Sequence, residues 1–305
     1  MLTATEFMSQ CTAPNLAGPL PQTTSKPELG EIVVFIDHRI EAASILEFAG
    51  LLAEENGARL ISVFVQPSPT VTPPQTFARG TGIQEVIENL QSELESIEGR
   101  QRARFDDVVS RHGIPRSEWR SLARWSTEVA VQAYYADLVV IARPEPAGEL
   151  PGPSGLPESL VLSSGRPIIL FPPNHTASRV RRILVGWGAT REAIRAVVDA
   201  LPLLARAEAV EVLIVDYERQ PERHGQKPGA DIARRLSALG AQVEVQRLSS
   251  GGEGVGHLLL AQAGAFGADL LVMGAYGHST LHEWLFGGVT RTVLYAAGLP
   301  VLMSR

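Results

Sequence analysis

Four glycines in the segment Met273–Leu294, MGAYGHSTLHEWLFGGVTRTVL, have a spacing that could bind a phosphate group. Gly274 follows a run of aliphatic residues typical of a buried strand, and Gly277 comes three positions later. Glycine lets the backbone turn tightly and expose its N–H groups, which are hydrogen-bond donors for an anion. The remaining candidates follow in the same segment: Gly287, Gly288, Val289 and Thr290.

Helix starts in this segment would strengthen an anion site. A helix beginning near His278 or Ser279 would direct its partly positive amino end toward the same place. A second helix beginning in Gly287–Thr290 would add further N–H groups, and Thr290 could add a hydroxyl. The same glycines could instead be turn and cap residues only. Spacing alone does not decide between these two interpretations.

Length, charge and composition narrow the class of protein. The chain has 305 residues, 45% hydrophobic, with a formal net charge of −6, which disfavours nucleic-acid binding. No apolar run of 18 residues occurs, so we expect no membrane span. Residues 1–30 are rich in Thr, Pro, Ser and Gly and predict a flexible leader. The single cysteine, Cys11, fits a reducing cytoplasm, where we expect the protein to reside.

The chain repeats itself. The segments Glu31–Val65 and Arg182–Asp216 align at a constant offset, and each reads as strand, helix, strand. The later segments ADLVVIA and ADLLVMG also match, as do SGRPIILF and AGLPVLMS. Their near-continuous apolar runs suit strands buried on both faces of a parallel sheet. We therefore predict a tandem α/β, Rossmann-like protein, with a leader at 1–30, a first domain at 31–172, a linker at 173–179 and a second domain at 180–305.

Further elements follow from the periodic pattern. It predicts a long polar helix over Gln84–His112 and a strand over Ser117–Ala123 in the first domain. Shorter counterparts are expected in the second domain, at Gly229–Leu239 and Gln242–Leu248, followed by a helix over Gly254–Phe266. Ligands of such sheets bind at the carboxyl ends of the strands, near the point where the strand order reverses.

Two other motifs are weaker candidates. Gly251–Gly256 has the glycine spacing of a P-loop, but His257 stands where that motif needs lysine, so a strand-to-helix turn is the better interpretation. His278 and His282, with Glu283 beside them, have the spacing of metal ligands on a helix. No third ligand accompanies them, and no nucleophile or acid–base pair is evident. We predict no metal site and no catalytic residue.

The ordered glycines Gly274-x2-Gly277-x9-Gly287, with the flanks ADLLVMGAYGHS, GGVTR and GLPVLMS, resemble the nucleotide-binding signature of the universal stress protein family. The resemblance covers nearly everything from Glu31 onward and implies two tandem five-stranded parallel α/β sandwich domains of the adenine nucleotide alpha hydrolase-like type. It implies binding of ATP or another adenine nucleotide, with or without Mg²⁺. It also implies dimerisation through the last strand of each domain.

Transferred position by position, the resemblance implies a site in the second domain only. The residues expected to contact ribose and phosphates are Gly274, Gly277, Gly287 and Gly288. His278, Val289 and Thr290 are further candidate contacts from the segment itself, beside the helix starts expected there. Gly288 stands where many ATP-binding members have Ser or Thr, and Gly188 stands where the family has an aspartate near adenine. Val215 could give backbone contacts to the base. The first domain keeps that aspartate as Asp37 but has Arg143 and Pro144 where the glycine turn is expected.

The resulting functional hypothesis is a stress-response protein that binds an adenine nucleotide in its second domain without turnover. Nucleotide occupancy would change its conformation or its partners. One alternative is a ligand-free, dimerising scaffold, and another is a slow ATPase. The strands expected at Pro167–Phe171 and Pro300–Ser304 are candidate sheet edges. They would pair either between chains, as a homodimer, or with each other inside one chain, as a pseudo-dimer.

Overall fold

A computed structural model describes residues 27–39, 42–67, 81–122, 127–143, 156–219, 221–224, 226–252, 254–275 and 288–305. Ten strands lie in these ranges: β1 (Glu31–Ile36), β2 (Arg59–Val65), β3 (Ser117–Leu122), β4 (Leu138–Ala142), β5 (Ile168–Phe171), β6 (Arg182–Gly186), β7 (Ala209–Val215), β8 (Gln242–Leu248), β9 (Leu270–Gly274) and β10 (Val301–Ser304). The helices are α1 (Ala42–Asn56), α2 (Thr81–Arg111), α3 (Thr127–Ala133), α4 (Leu156–Ser163), α5 (Arg191–Asp199), α6 (Leu201–Leu204), α7 (Pro221–His224), α8 (Ala230–Ser237), α9 (Val255–Phe266) and α10 (Gly288–Ala296).

All ten strands form one sheet in the order β3-β2-β1-β4-β5-β10-β9-β6-β7-β8. Neighbouring strands are parallel except β5 and β10, which pair antiparallel with Leu302 opposite Ile169. The order is therefore symmetric about the β5–β10 pair. We call β1–β5 and their helices the N-terminal half, and β6–β10 and theirs the C-terminal half. The predicted α/β class with a mostly parallel sheet is confirmed.

Helices cover both faces of the sheet. Helices α1, α2, α5, α6 and α8 pack on one face, where the core continues from Ile32 and Phe105 in one half to Ile183 and Leu236 in the other. Helices α3, α4, α9 and α10 pack on the opposite face. Burial on both faces explains the near-continuous apolar runs of the central strands. No helix in the described ranges is both long enough and apolar enough to cross a membrane.

The aspartate that begins each ADL segment has a structural role. Asp137 accepts hydrogen bonds from the backbone N–H groups of Gly30 and Glu31, at 2.8 and 3.0 Å, where β1 begins. Asp269 does the same for Arg181 and Arg182, at 2.9 and 2.8 Å, where β6 begins. The repeated carboxylate therefore fastens the start of the first strand to the fourth strand in each half.

Ion pairs and hydrogen bonds also join the two halves. The carboxylate of Glu55, at the end of α1, accepts from Arg179 and Arg181 in the connecting segment, at 2.8 and 2.7 Å. The guanidinium of Arg206 donates to the backbone carbonyl of Glu55 at 3.2 Å. The ring of His175 contacts the carbonyl oxygen of Gly298 at 3.1 Å. These contacts hold the connecting segment against both halves.

Candidate functional site

The carboxyl ends of β6 and β9 form the place where the strand order of the C-terminal half reverses. Strands β6 and β9 are neighbours, and the chain leaves them toward opposite faces of the sheet, into α5 after β6 and toward α10 after β9. Such a position opens a crevice in doubly wound sheets. Gly188 follows β6, and Gly274 is the last residue of β9, as the sequence predicts.

The loop after β6 has an unusual backbone. The Trp187 N–H donates to the Leu213 carbonyl at 2.9 Å, and Ala189 has φ of 50°, in the left-handed region that alanine rarely adopts. Thr190 then caps α5, its hydroxyl accepting from the Ala193 N–H at 3.2 Å. Gly188 has open space around it, since an added Cβ would meet only the Thr190 methyl, at 3.6 Å. The loop therefore leaves room beside β6.

Gly274 lies where helix α5 comes closest to the sheet. A Cβ added at this position would lie 2.5 Å from the carbonyl carbon of Glu192 and 2.6 Å from the Ala193 nitrogen. Both atoms belong to the backbone of the first turn of α5 and cannot rotate away. The glycine is therefore required for packing between β9 and α5, a role that needs no ligand.

A buried carboxylate already occupies the amino end of α5. Glu192 is buried in the first turn of this helix. Burial by itself would raise the pKa of Glu192, but hydrogen bonds from its own backbone N–H, Arg191 and Thr190 together hold that pKa below its usual value. Because the carboxylate complements the positive helix end, α5 is a poor site for a second anion.

The amino ends of α9 and α10 lie together on the opposite face of the sheet. A Cβ added at Gly256, in the first turn of α9, would lie 2.7 Å from the Thr292 Cβ and 3.2 Å from the Val289 carbonyl oxygen. The two helices can approach so closely only because residue 256 has no side chain. Two helix amino ends at one place offer more unpaired N–H groups than either end alone.

The predicted residues at the start of α10 differ in exposure. Gly288 begins the helix and is exposed, and among the residues that the structure describes no atom lies within 4 Å of a Cβ added there. Val289 is half-buried, whereas Thr290 is buried, with 5% of its surface exposed. Backbone donors at Gly288 and Val289 are therefore better placed for a ligand than the Thr290 hydroxyl. Val215 ends β7 and is half-buried.

Asp216, directly after β7, fixes the glycine-rich turn that leads into α9. Its carboxylate accepts from the Ser250 N–H at 2.7 Å and from the Ser250 hydroxyl at 2.6 Å. These hydrogen bonds lower the pKa of Asp216, and the nearby Arg219 guanidinium adds to the effect. Asp216 has φ of 52°, which only glycine, asparagine and aspartate adopt readily. The carboxyl ends of β7 and β8 are thereby joined beside the start of α9.

We expect the Asp216→Asn variant to be less stable by about 1 kcal/mol at pH 7. Asparagine tolerates the same backbone conformation, but it lacks the charge and has an amide donor in place of one of the two oxygens that accept from Ser250. Since the folded pKa lies below the ordinary value of about 3.9, the carboxylate's contribution is complete above that pH and is lost as the pH falls through the folded pKa. Urea unfolding at pH 7 and pH 3.5 should show the difference shrinking; an unchanged difference would contradict the proposed charge effect.

The corresponding place in the N-terminal half is occupied by its own side chains. The Asp37 carboxylate accepts from the Arg39 backbone N–H at 2.9 Å and from the Arg39 guanidinium at 2.8 Å. Arg143, directly after β4, donates from its guanidinium to the backbone carbonyl of Tyr295, near the end of α10. The side chain that replaces the glycine turn therefore reaches the partly negative carboxyl end of a helix in the other half.

Part of the predicted site lies outside the described residues. This is true of Gly277, His278 and Gly287, and of Pro144, His282, Glu283 and Cys11. Within the described ranges, no group of three or more His, Cys, Asp or Glu residues could hold a metal ion. Sequence reasoning missed three residues that shape the described part of the site: Glu192, Asp216 and Gly256. For Gly256 the available signal is the glycine-rich turn before α9, whose sequence predicts a strand-to-helix turn rather than a P-loop.

Comparison with known proteins gives a family match in the C-terminal half. Residues 179–305 match the family model described as the Universal stress protein family. Over these residues the chain is similar to the universal stress protein family. The matched residues include every strand of the C-terminal half and the two helix ends beside β9. Among curated protein sequences, none matches the chain significantly.

Solved structures with the universal stress protein fold cover both halves. The chain is similar to a universal stress protein from Archaeoglobus fulgidus DSM 4304, with 16% identity, coverage of 90% of this chain and 98% of that one, and a TM-score of 0.64. It is also similar to a functionally unknown protein from Pseudomonas aeruginosa PAO1, with 14% identity, coverage of 90% of this chain and 92% of that one, and a TM-score of 0.52. A universal stress protein in complex with cAMP has 23% identity to the chain, with coverage of 42% of this chain and 98% of that one, and a TM-score of 0.34. At these identities the first two likenesses establish the fold.

Proposed function

We propose that the C-terminal half binds an adenine nucleotide, with ATP as the first candidate, at the carboxyl ends of β6 and β9. The observation that carries this proposal is the close packing of the amino ends of α9 and α10, beside the open loop at Gly188. Backbone N–H groups of Gly288, which is exposed, and Val289, which is half-buried, would bind phosphate oxygens. The base would lie toward the end of β7, where Val215 is only half-buried.

We propose further that the N-terminal half binds no nucleotide. The engagement of Asp37 by Arg39 supports this, since the carboxylate already has two donors. The contact from Arg143 to Tyr295 supports it too, because it directs a large side chain toward the other half. The N-terminal half would then serve as a structural partner, and the β5–β10 pair would make one chain an internal pseudo-dimer.

Binding without turnover is part of the proposal. The slow-ATPase alternative requires a base near the terminal phosphate and a group that holds Mg²⁺. Thr290, whose hydroxyl is one candidate for holding the ion, is buried. A magnesium ion would accordingly be held through the nucleotide phosphates. The ligand-free scaffold remains the second candidate, and the packing role of Gly274 favours it, because that glycine has a structural reason of its own.

Calorimetric titration of the purified full chain with ATP, AMP and inorganic phosphate tests the proposal. We expect heat with ATP, less with AMP and none with phosphate alone, and a thermal shift that follows the same order. Nucleotide released from the purified protein by acid precipitation would support the same conclusion. The absence of both heat and thermal shift would leave the scaffold as the function.

The Gly288→Ser variant should bind ATP more tightly than the natural chain, by about tenfold. An added serine has room, since no atom lies within 4 Å of its Cβ, and its hydroxyl at the first helix position could donate to a phosphate oxygen. Titration of Gly288→Ser against Gly288→Ala isolates the hydroxyl. Equal affinities in these two variants would contradict placement of a phosphate at the start of α10.

A further inference from the structure

Helix α2 extends beyond the body of the N-terminal half. Glu98 of α2 lies over the carboxyl ends of β2 and β3. Its carboxylate accepts from the Gln66 side chain, just after β2, at 3.2 Å and from the Ser121 hydroxyl, near the end of β3, at 2.9 Å. The segment Thr81–Ile97 precedes that point and extends about 25 Å past the carboxyl ends of the strands. We call this segment the α2 arm. None of residues 84–96 is buried.

The α2 arm has an apolar stripe with no cover in the described structure. Farther along α2, the residues Gln101, Phe105 and Val108 are buried beneath the helix at spacings of four and three. The same spacing continues back through the arm at Ile97, Leu94, Leu90 and Ile87. Residues spaced by three and four lie on one helical face. Ile97 still packs on the core, whereas Leu90 and Leu94 are half-buried and Ile87 is 43% exposed.

A second bare apolar surface lies on α5 in the C-terminal half. Ile194 and Val198, four residues apart, are 51% and 43% exposed. In the N-terminal half, α2 covers the corresponding helix: Gly50 of α1 lies against Val108, and His112 contacts Glu47 at 2.9 Å. The counterpart of α2 in the C-terminal half is α8, which has only eight residues. Helix α5 therefore lacks the cover that α1 has.

Charges decide which surfaces can pair. The stripe of the α2 arm is flanked by exposed glutamates, Glu88, Glu93 and Glu95. The stripe of α5 is flanked by exposed arginines, Arg191 and Arg195, whose guanidinium groups each contact a less exposed carboxylate of the same helix, Glu192 at 3.1 Å and Asp199 at 2.8 Å. Two α2 arms placed together would repel each other, whereas an arm on α5 would place its glutamates beside exposed guanidinium groups.

We propose that the α2 arm of one chain packs on α5 of a second copy, so that two copies form a two-fold dimer with this contact made twice. Ile87, Leu90 and Leu94 would bury Ile194 and Val198, with glutamates facing arginines along the edge. The contact is isologous, because each copy supplies one arm and one α5. This proposal stands independently of nucleotide binding.

Sedimentation velocity of the full chain over a range of concentrations tests the proposal. We expect a reversible dimer whose dissociation constant rises with salt, because charge pairs flank the contact. Val198→Asp should raise that constant about tenfold or more. The matched control is Val131→Asp, at 43% exposure on α3 of the opposite face, which should leave it unchanged. A chain that stays monomeric, or a dimer that Val198→Asp leaves intact, would overturn the proposal.

A charge swap provides a second test that does not depend on a single variant. The pair Glu88→Arg with Glu95→Arg should weaken the dimer, as should Arg191→Glu with Arg195→Glu, while all four changes in one chain should restore it. Failure of the combined chain to dimerise, with its circular dichroism unchanged, would rule out the charge pairing. Cysteines placed at Leu90 and Val198 in a Cys11→Ser background, which has no other cysteine, should cross-link between copies; absence of the cross-linked dimer would count against the contact.

Discussion

The Gly274→Ala variant should lose about 3 kcal/mol of unfolding free energy, the largest effect expected for any single methyl group in the described part of the protein. The added Cβ would lie 2.5 and 2.6 Å from backbone atoms of Glu192 and Ala193, so either β9 or the first turn of α5 must move. Neither element can yield without cost, because β9 pairs on both sides with buried strands. Urea unfolding followed by circular dichroism measures the loss.

Gly288→Ala is the matched control for that variant. It adds the same methyl group to a second glycine of the nucleotide-binding signature, but at a position with no atom within 4 Å. We expect its stability to lie within about 0.5 kcal/mol of the natural chain. If Gly274→Ala is unstable while Gly288→Ala keeps both its stability and its ATP affinity, the two glycines have separable roles. Equal stabilities would contradict the packing role assigned to Gly274.

The second large effect is expected at Gly256, where α9 and α10 touch. Gly256→Ala would place a Cβ 2.7 Å from the Thr292 Cβ, between two packed helices. We expect a loss of about 2 kcal/mol, with weaker ATP binding as well, because the amino ends of the helices would be forced apart. Calorimetric titration and urea unfolding of the same preparation measure both effects.

Gly264→Ala, in the same helix, separates packing from helix propensity. No atom lies within 4 Å of a Cβ at Gly264, so the substitution should stabilise the chain by about 1 kcal/mol through helix propensity alone. Its ATP affinity should match that of the natural chain. A destabilised Gly264→Ala, or a Gly256→Ala variant that gains stability in the same way, would show that the α9–α10 contact is looser than the distances indicate.

Local sequence pattern was enough to predict the α/β class and many of the strands and helices, though not the helices α4, α6 and α7, because each pattern depends on neighbouring residues. It placed Gly274 at the end of a strand, as β9 has it, and a helix start within Gly287–Thr290, where α10 begins at Gly288. The long helix predicted over Gln84–His112 is α2, three residues longer at its start and one shorter at its end. The strand predicted to end at Ala123 ends at Leu122.

Contacts between distant segments could not be predicted in the same way. The sequence gives no indication that Gly274 faces the backbone of α5, which lies about 80 residues earlier in the chain. Nor does it reveal that Asp216 binds Ser250, or that Arg143 reaches Tyr295 in the other half. Such contacts depend on the three-dimensional arrangement of the sheet. The roles assigned to Gly277, His278 and Gly287 stay predictions.

The antiparallel pair of β5 and β10 has a consequence for how this molecule could diverge. Because both strands belong to one polypeptide, their association does not weaken on dilution. A second chain cannot replace either strand by subunit exchange. A substitution that abolishes ligand binding in one half therefore need not reduce the affinity of the halves for each other. Arg143 is an example: it stands where the glycine turn is expected, and its guanidinium donates to the Tyr295 carbonyl in the C-terminal half.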